Sequence, residues 1–509
     1  MDTQLLQTNN RYQGAKSLEI ELGKSAESEM MKDYIGMKEA VIDIATRSIT
    51  SSISFYVEYL AIFLNIVFIS YLNEPVLVSA CGMGQFLLNL SVAAIDVGLC
   101  GGIDTLASQA FGRKDYVLWG VYLNTARIVI SVLFLFQAFM LLNAESILIA
   151  FGQSAEVAEI ASTYCLYLMP GIFMYMQFEW KRRHLFWQGI YRPVLNTMFI
   201  TTSLHIVSLY IFVIVFDLKV LGVAVSTTIT YSLDVILINY LLRSNPNIVV
   251  PQKWFLIDKK AFMRIIPYLK YGIPGAIMWA MEWWGYDIIN IFSGILGVNQ
   301  LSTGIIIFQM FIMIVMNSVG ITFAATGPVG NSLGANLPNR AKRYALAANI
   351  FGAACAIFSV IVHVLFKNKF ILAFTSNPEI VEFYDEVFIF YMWALFCDQM
   401  QIVNGGILRA MGYQNAGSII QGVALFVVMN PLAYILAFKC EYGFIGIWMA
   451  VPVGSFLMMI GFLVILFTSD WRTIAINASH HEKDDSLLKF EQNIPGHCVS
   501  HHLSHHSLL

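Results

Sequence analysis

Twelve separate stretches of about 20 apolar residues run through this chain, each long enough to carry a helix across the roughly 30 Å hydrocarbon core of a bilayer. They lie near residues 51–71, 76–111, 118–142, 158–178, 194–216, 220–242, 271–297, 301–327, 344–366, 381–404, 418–438 and 444–468. In lipid the backbone must satisfy its own hydrogen bonds, which makes each stretch a helix. The composition agrees: 58% hydrophobic against 12% charged residues over 509 positions, with a mean hydropathy of +0.67, lies outside the range of a soluble domain. An all-α polytopic membrane protein is therefore predicted, with the bilayer as its main partner and no nucleic acid.

The distribution of Lys and Arg tests that count, because short positive loops stay on the cytosolic side. The N-terminal tail, the even-numbered loops and the C-terminal tail hold 25 of the 30 basic residues. The odd-numbered loops hold only Lys219, Lys367, Lys369 and Lys439, and Arg127 falls inside a span. Both termini are thus expected in the cytosol, and one span more or fewer would scramble the asymmetry. No apolar signal core precedes the first span. The seven cysteines show no metal or CxxC spacing, and Cys81, Cys100, Cys165, Cys355 and Cys397 sit in or beside spans as small core residues.

The two halves of the chain resemble each other. Ala150-Phe151 with Glu156-Val157 recurs as Ala373-Phe374 with Glu379-Ile380, and Leu185 with Gly189 recurs as Leu408 with Gly412, both at an offset of 223. Gly112 matches Gly334 at 222 and Gly222 matches Gly446 at 224. Twelve spans then divide as six plus six; both halves enter the membrane in the same direction, so a pseudo-two-fold along the membrane normal should relate two six-helix lobes around a central cavity. The expected organisation is a cytosolic tail at 1–45, an N-lobe at 46–243, a cytosolic linker at 244–268, a C-lobe at 269–470 and a cytosolic His-rich tail at 471–509.

Carboxylates inside spans are costly, about 2.5–3.5 kcal/mol on insertion scales, and so mark function by default. Glu282, in Met281-Glu-Trp-Trp, is the leading candidate. Asp287 is five residues on, about 140° round a helix, so the two cannot share a face. Asp398 begins a polar stripe continued by Gln401 and Asn404 on an otherwise apolar helix. A carboxyl group taken out of water favours its neutral form, and one that releases a proton when a cation arrives is a minimal antiport device. The alternative at each position is a structural hydrogen bond within the bundle. Trp283, Trp284 and Tyr286 suit stacking on a planar cation or ordinary packing. In the first half, Asp96 and Asp104 are eight apart on the second span, Asp104 standing near its cytosolic end where solvation or capping is the alternative, and Asp234 has the option of pairing with a neighbour. Gly272-Ile-Pro274, Met169-Pro170, Gly327-Pro328 and Asn430-Pro431 are candidate kinks.

Several motifs in order carry a family resemblance. Leu106-Ala-Ser-Gln-Ala-Phe-Gly-Arg-Lys closing the second span, Met281-Glu-Trp-Trp in the seventh, Val329-Gly-Asn-Ser-Leu-Gly-Ala-Asn-Leu-Pro after the eighth and Gly406-Ile-Leu-Arg-Ala-Met-Gly-Tyr-Gln after the tenth resemble multidrug and toxic compound extrusion (MATE) transporters of the eukaryotic branch, over about 45–471. The resemblance implies a V-shaped pair of lobes exporting organic, often cationic compounds in exchange for protons or sodium, and places the C-lobe carboxylates on Glu282, Asp287 and Asp398. This chain has Asp at the second and third, where the family commonly has Glu. It also places Asn65 where bacterial relatives carry an aspartate. Asn65 cannot titrate, and Glu58, seven residues earlier on about the same face, is the candidate substitute. Asp104 stands where the eukaryotic members usually have Glu.

Nothing here reads as an enzyme: there is no HExxH, GxSxG or Gly-rich phosphate loop with its Lys, so an ion gradient must supply the energy. A lipid or lipid-linked flippase of the same superfamily is the rival function; its cavity would be cationic, whereas these spans hold one Arg and several acids. A non-transporting receptor or scaffold sits poorly with buried carboxylates and short loops. Seven of the ten histidines fall in the last thirty residues, a composition that suits a solvated tail better than a metal site. No metal or cofactor is expected. The expected protein is a monomer in the plasma membrane or an endomembrane such as the vacuole, with Glu282, Asp398 and Asp287 leading the site and Asp104, Glu58, Asn65, Gln401 and Trp283 secondary.

Overall fold

The computed structural model describes residues 32–72, 74–244 and 259–480, and every regular element among them is helical. Twelve long helices follow one another: α1 (Met37–Ser70), α2 (Val76–Gly112), α3 (Tyr116–Leu142), α4 (Ala155–Trp187), α5 (Arg192–Val215), α6 (Lys219–Ser244), α7 (Ile265–Leu296), α8 (Val298–Gly334), α9 (Pro338–Leu365), α10 (Pro378–Met411), α11 (Gln414–Lys439) and α12 (Gly443–Thr468). A short α13 (Trp471–His480) closes the described chain. Ten of these are long and apolar enough to cross a membrane. The two others of similar length, α7 and α10, are those that carry Glu282, Asp287 and Asp398.

Several predicted limits move. α1 starts at Met37 because Ile35, Ala40 and Ile44 pack on α8, α9 and α13, so the helix reaches well into the expected tail. α7 begins at Ile265, shortening the expected linker, whose residues 245–258 lie outside the described residues, as do the first 31 and those from 481 on, including most of the His-rich tail. α13 is amphipathic: Trp471, Ile474, Ala475 and Ala478 are buried, and Asp470 accepts a hydrogen bond from the Arg472 N–H at 3.0 Å and from the Thr473 hydroxyl at 2.6 Å. Pro170, Pro274 and Pro328 sit inside continuous helices, as does Pro452, and the irregular turns are π segments instead, at 89–93, Tyr210–Val215, Val423–Met429 and Ile435–Lys439.

Two hydrophobic cores, one built from α2, α3, α4 and α6 and one from α7, α8, α10, α11 and α12, give two lobes. The repeat read from glycines has a physical basis. A Cβ on Gly112 would strike the backbone of Asn331, and one on Gly334 would strike the backbone of Gln109, so the ends of α2 and α8 cross as mirror roles of one contact. Gly98 meets Gly275 on α7, and Gly320 meets Ser52 on α1, which pairs α2 with α7 and α8 with α1 in the same way. Gly222 and Gly446 each press on the π-wound end of the preceding helix, at Phe212 and Leu436. Gly189 and Gly412, at φ +75° and +82°, end α4 and α10 in the left-handed region where a side chain would be strained.

Candidate functional site

α7 brings Glu282 to the wall of a small cavity lined also by Trp279, Thr322, Gln401, Arg409 and Gln421. The carboxylate is held by two carboxamides: Gln401 Nε2 donates to Oε1 at 2.8 Å from α10, and Gln421 Nε2 donates to Oε2 at 3.2 Å from α11. The neutral donors orient the group without cancelling its charge. One turn along α7, Tyr286 donates its hydroxyl hydrogen to Asp398 Oδ2 at 2.6 Å, and Ser455 on α12 donates to the same oxygen at 2.9 Å. Asp398 is fully buried and its Oδ1 has no partner among the described residues. The structure thus sets Glu282 on the cavity wall and Asp398 behind it, within electrostatic reach through Tyr286.

The other expected residues divide. Asp287 is half-buried, with no hydrogen-bond partner among the described residues, and does not join Glu282, as five-residue spacing demands. The polar stripe on α10 splits three ways: Asp398 to α7 and α12, Gln401 to Glu282, and Asn404 to Asn349 of α9, whose Nδ2 donates to it at 3.0 Å. Trp283 packs edge-on against Phe308 with ring centres 6.4 Å apart, and Trp284 is exposed on the outer surface. Asp96 accepts from Gln137 Nε2 at 3.1 Å, and Asp234 accepts from the Thr201 hydroxyl at 2.7 Å.

Asp104 is a correction to the solvated alternative. It is completely buried and paired with Arg183 of α4 at 2.5 Å and Arg409 of α10 at 3.4 Å. Glu58 forms an ion pair with Arg182 and accepts from the Tyr175 hydroxyl at 3.0 Å. Arg182 also pairs with Glu179. Asn65 instead bonds His205 and Thr227. The sequence reading missed this basic cluster because it ended the fourth span at 178 and the tenth at 404, counting Lys181, Arg182, Arg183 and Arg409 as loop residues. α4 and α10 run on to Trp187 and Met411. The signal was present in Glu179-x-x-Arg182-Arg183, whose i,i+3 and i,i+4 charge pairs favour a continuing helix.

Asp104 and Arg409 join the two lobes near the ends of α2 and α10. Around them Thr105 donates to the Arg409 carbonyl at 2.5 Å, Gln109 donates to the Ala410 carbonyl at 3.0 Å, and Gln414 donates to Thr105 at 2.6 Å. The lobes are therefore closed on the side where α2, α4, α8 and α10 end, which is also the side of the start of α1 and the end of α12.

The comparisons with known proteins agree with this architecture. The MatE family model matches residues 51–211 and 274–435, one segment in each lobe. The chain is 28% identical to multidrug and toxin extrusion protein 1 of Xenopus tropicalis over 482 residues, covering 93% of this chain and 83% of that protein. It is 26% identical to Protein DETOXIFICATION 16 of Arabidopsis thaliana over 428 residues, covering 84% of this chain and 87% of the relative. Among solved structures, the eukaryotic MATE transporter AtDTX14 superposes with a TM-score of 0.82 at 22% identity, covering 88% of this chain and 100% of that one. A Vibrio cholerae MATE transporter superposes with a TM-score of 0.77 at 15% identity, covering 86% and 99%. Two six-helix lobes, buried carboxylates in the second and a family match spanning both make this chain a member of the MatE family of multi-pass membrane transporters.

Proposed function

We propose that this protein is a secondary active antiporter that exports organic cations in exchange for protons, with Glu282 and Asp398 as its proton- and substrate-binding carboxylates. One observation carries the reading: Glu282 faces a cavity while held by two carboxamides. Among the described residues the one cation on that cavity wall is Arg409, already shared with Asp104. A carboxylate so placed can hold a proton or pair with a substrate cation, and exclusion of one by the other couples the two fluxes. The family is one of ion-coupled transporters, and with Arg409 engaged by Asp104 the carboxylate of Glu282 favours a cation over lipid phosphate. A division into an N-lobe of α1 to α6 and a C-lobe of α7 to α12, a monomeric state, cytosolic termini and residence in the plasma membrane or an endomembrane complete the proposal. In that orientation the closed side faces the cytosol.

The test is uptake of a fluorescent organic cation into proteoliposomes with an acidic lumen. Wild type accumulates the dye in response to the pH gradient, and Glu282→Gln does not. Accumulation that follows only a sodium gradient contradicts proton coupling; accumulation that survives in Glu282→Gln contradicts the carboxylate assignment.

A further inference from the structure

Deep in the N-lobe, away from the Glu282 cavity, α5 carries His205, which is 1% exposed. Its two ring nitrogens face side chains from two different helices. Nε2 lies 3.0 Å from Oδ1 of Asn65 on α1, and Nδ1 lies 2.8 Å from Oγ1 of Thr230 on α6. The hydrogens around those two oxygens are already directed elsewhere. Asn65 turns Nδ2 to Thr227 Oγ1 at 3.2 Å, leaving its carbonyl oxygen to the ring. Thr227 has one hydroxyl hydrogen, and its shorter contact is to the Val223 carbonyl at 2.9 Å rather than to Asn65 at 3.4 Å, which leaves it free to receive from Asn65. Thr230 likewise directs its hydroxyl to the Ser226 carbonyl at 2.9 Å.

Both nitrogens therefore meet acceptors. An imidazolium, with two N–H donors, satisfies that arrangement as it stands; a neutral imidazole satisfies it once the Thr230 hydroxyl turns from Ser226 to donate to Nδ1. The two protonation states differ by a hydroxyl rotation, with no heavy atom displaced. We propose that His205 is a proton-binding site of the N-lobe, separate from Glu282 and Asp398, that gains a proton at Nδ1 from water on one side of the membrane and releases it to the other during each transport cycle. The proposal rests on the proton-antiport reading above.

The charged surroundings support a relay. On α6, Asp234 accepts from Thr201 one turn from His205 on α5, and Tyr231 lies in electrostatic reach of both Asp234 and Glu58. On α1 the titratable group is Glu58, already paired with Arg182. On α5 itself Tyr210 is exposed and turned away. Thr197, Thr201 and His205, at four-residue spacing, thus form a polar seam against Thr227, Thr230 and Asp234 in an otherwise apolar lobe.

The decisive quantity is the number of protons moved per cation. In proteoliposomes with the membrane potential held at zero, one proton fewer per cycle lowers the limiting accumulation ratio of the dye about tenfold at a pH gradient of one unit. His205→Gln is expected to keep pH-driven uptake but to show that tenfold fall. An unchanged ratio overturns the proposal. Should His205→Gln fail to fold, two variants that keep the histidine carry the test. Asn65→Asp places an anion beside Nε2 and is expected to move the pH profile of uptake toward alkali. Thr230→Val removes the oxygen facing Nδ1 and is expected to move it toward acid. Profiles that stay put, or move the same way, contradict the proposal. Wild-type uptake that ignores pH would bring down the antiport reading itself, a result distinct from a normal wild type with an unaltered His205→Gln.

Discussion

At the scale of single residues, the decisive difference is how each buried carboxylate is neutralised. Asp104 has guanidinium groups from both lobes, whereas Glu282 has, among the described residues, only carboxamides at hydrogen-bond distance. The first kind is structural in its energetics: removing one partner of a buried ion pair strands the other and costs about 3–5 kcal/mol. Asp104→Asn is expected to lower thermal stability in detergent by that order, because Arg183 and Arg409 lose their shared anion, and retention of wild-type melting would show that the pairs are not formed in the membrane. The second kind is, in the proposed mechanism, binding machinery. Gln401→Leu removes a hydrogen bond to an anion worth about 1.5–3 kcal/mol, so the dissociation constant for the cation should rise at least tenfold while the folded fraction is unchanged. Titration of dye binding to the purified variant checks this.

At the scale of elements, helix crossings depend on missing side chains. Gly334→Ala would drive a methyl into the Gln109 backbone where α8 crosses α2, a strain of about 1–3 kcal/mol on the closed side. The expected result is faster cysteine labelling along that crossing; unaltered labelling would show that the crossing is looser than described. Outside the spans, Asp470 caps α13, and hydrogen bonds from the Thr473 hydroxyl and the Arg472 N–H hold its carboxyl below the usual range. A depressed value means that its stabilisation is present above the unfolded-state value near 3.8 and is lost as pH falls through the folded one. Amide exchange in α13 should accelerate in Asp470→Ala at neutral pH, and the difference from wild type should vanish under strong acid. The twelve spans were legible from sequence because a bilayer selects for length and apolarity, features that need no partner to be read. The helix ends were not: Arg182, Arg183 and Arg409 look like loop residues until tertiary contacts with Glu58, Glu179 and Asp104 neutralise them. Glu282, Asp398 and Gln401 were legible as polar residues in apolar helices, but Tyr286, Gln421 and Ser455 were not, since their roles depend on which helices adjoin α7.

At the scale of the whole molecule, the repeat that built two similar lobes has been put to different uses. The C-lobe keeps Glu282 at its cavity with Asp398 behind it, the N-lobe places its acids in ion pairs and hydrogen-bonded seams, and Asp104 with Arg409 ties the two together on one side. Exchange in such a frame needs only that proton and cation exclude each other at one group while the lobes alternate between closed sides. The most direct test is equilibrium binding of a fluorescent organic cation to purified protein across pH, in wild type and in Glu282→Gln. Competition for one carboxylate predicts that wild-type affinity falls about tenfold per pH unit on the acid side and levels off on the alkaline side, while Glu282→Gln binds weakly and without that slope. The same slope in both proteins, or none in the wild type, would contradict it.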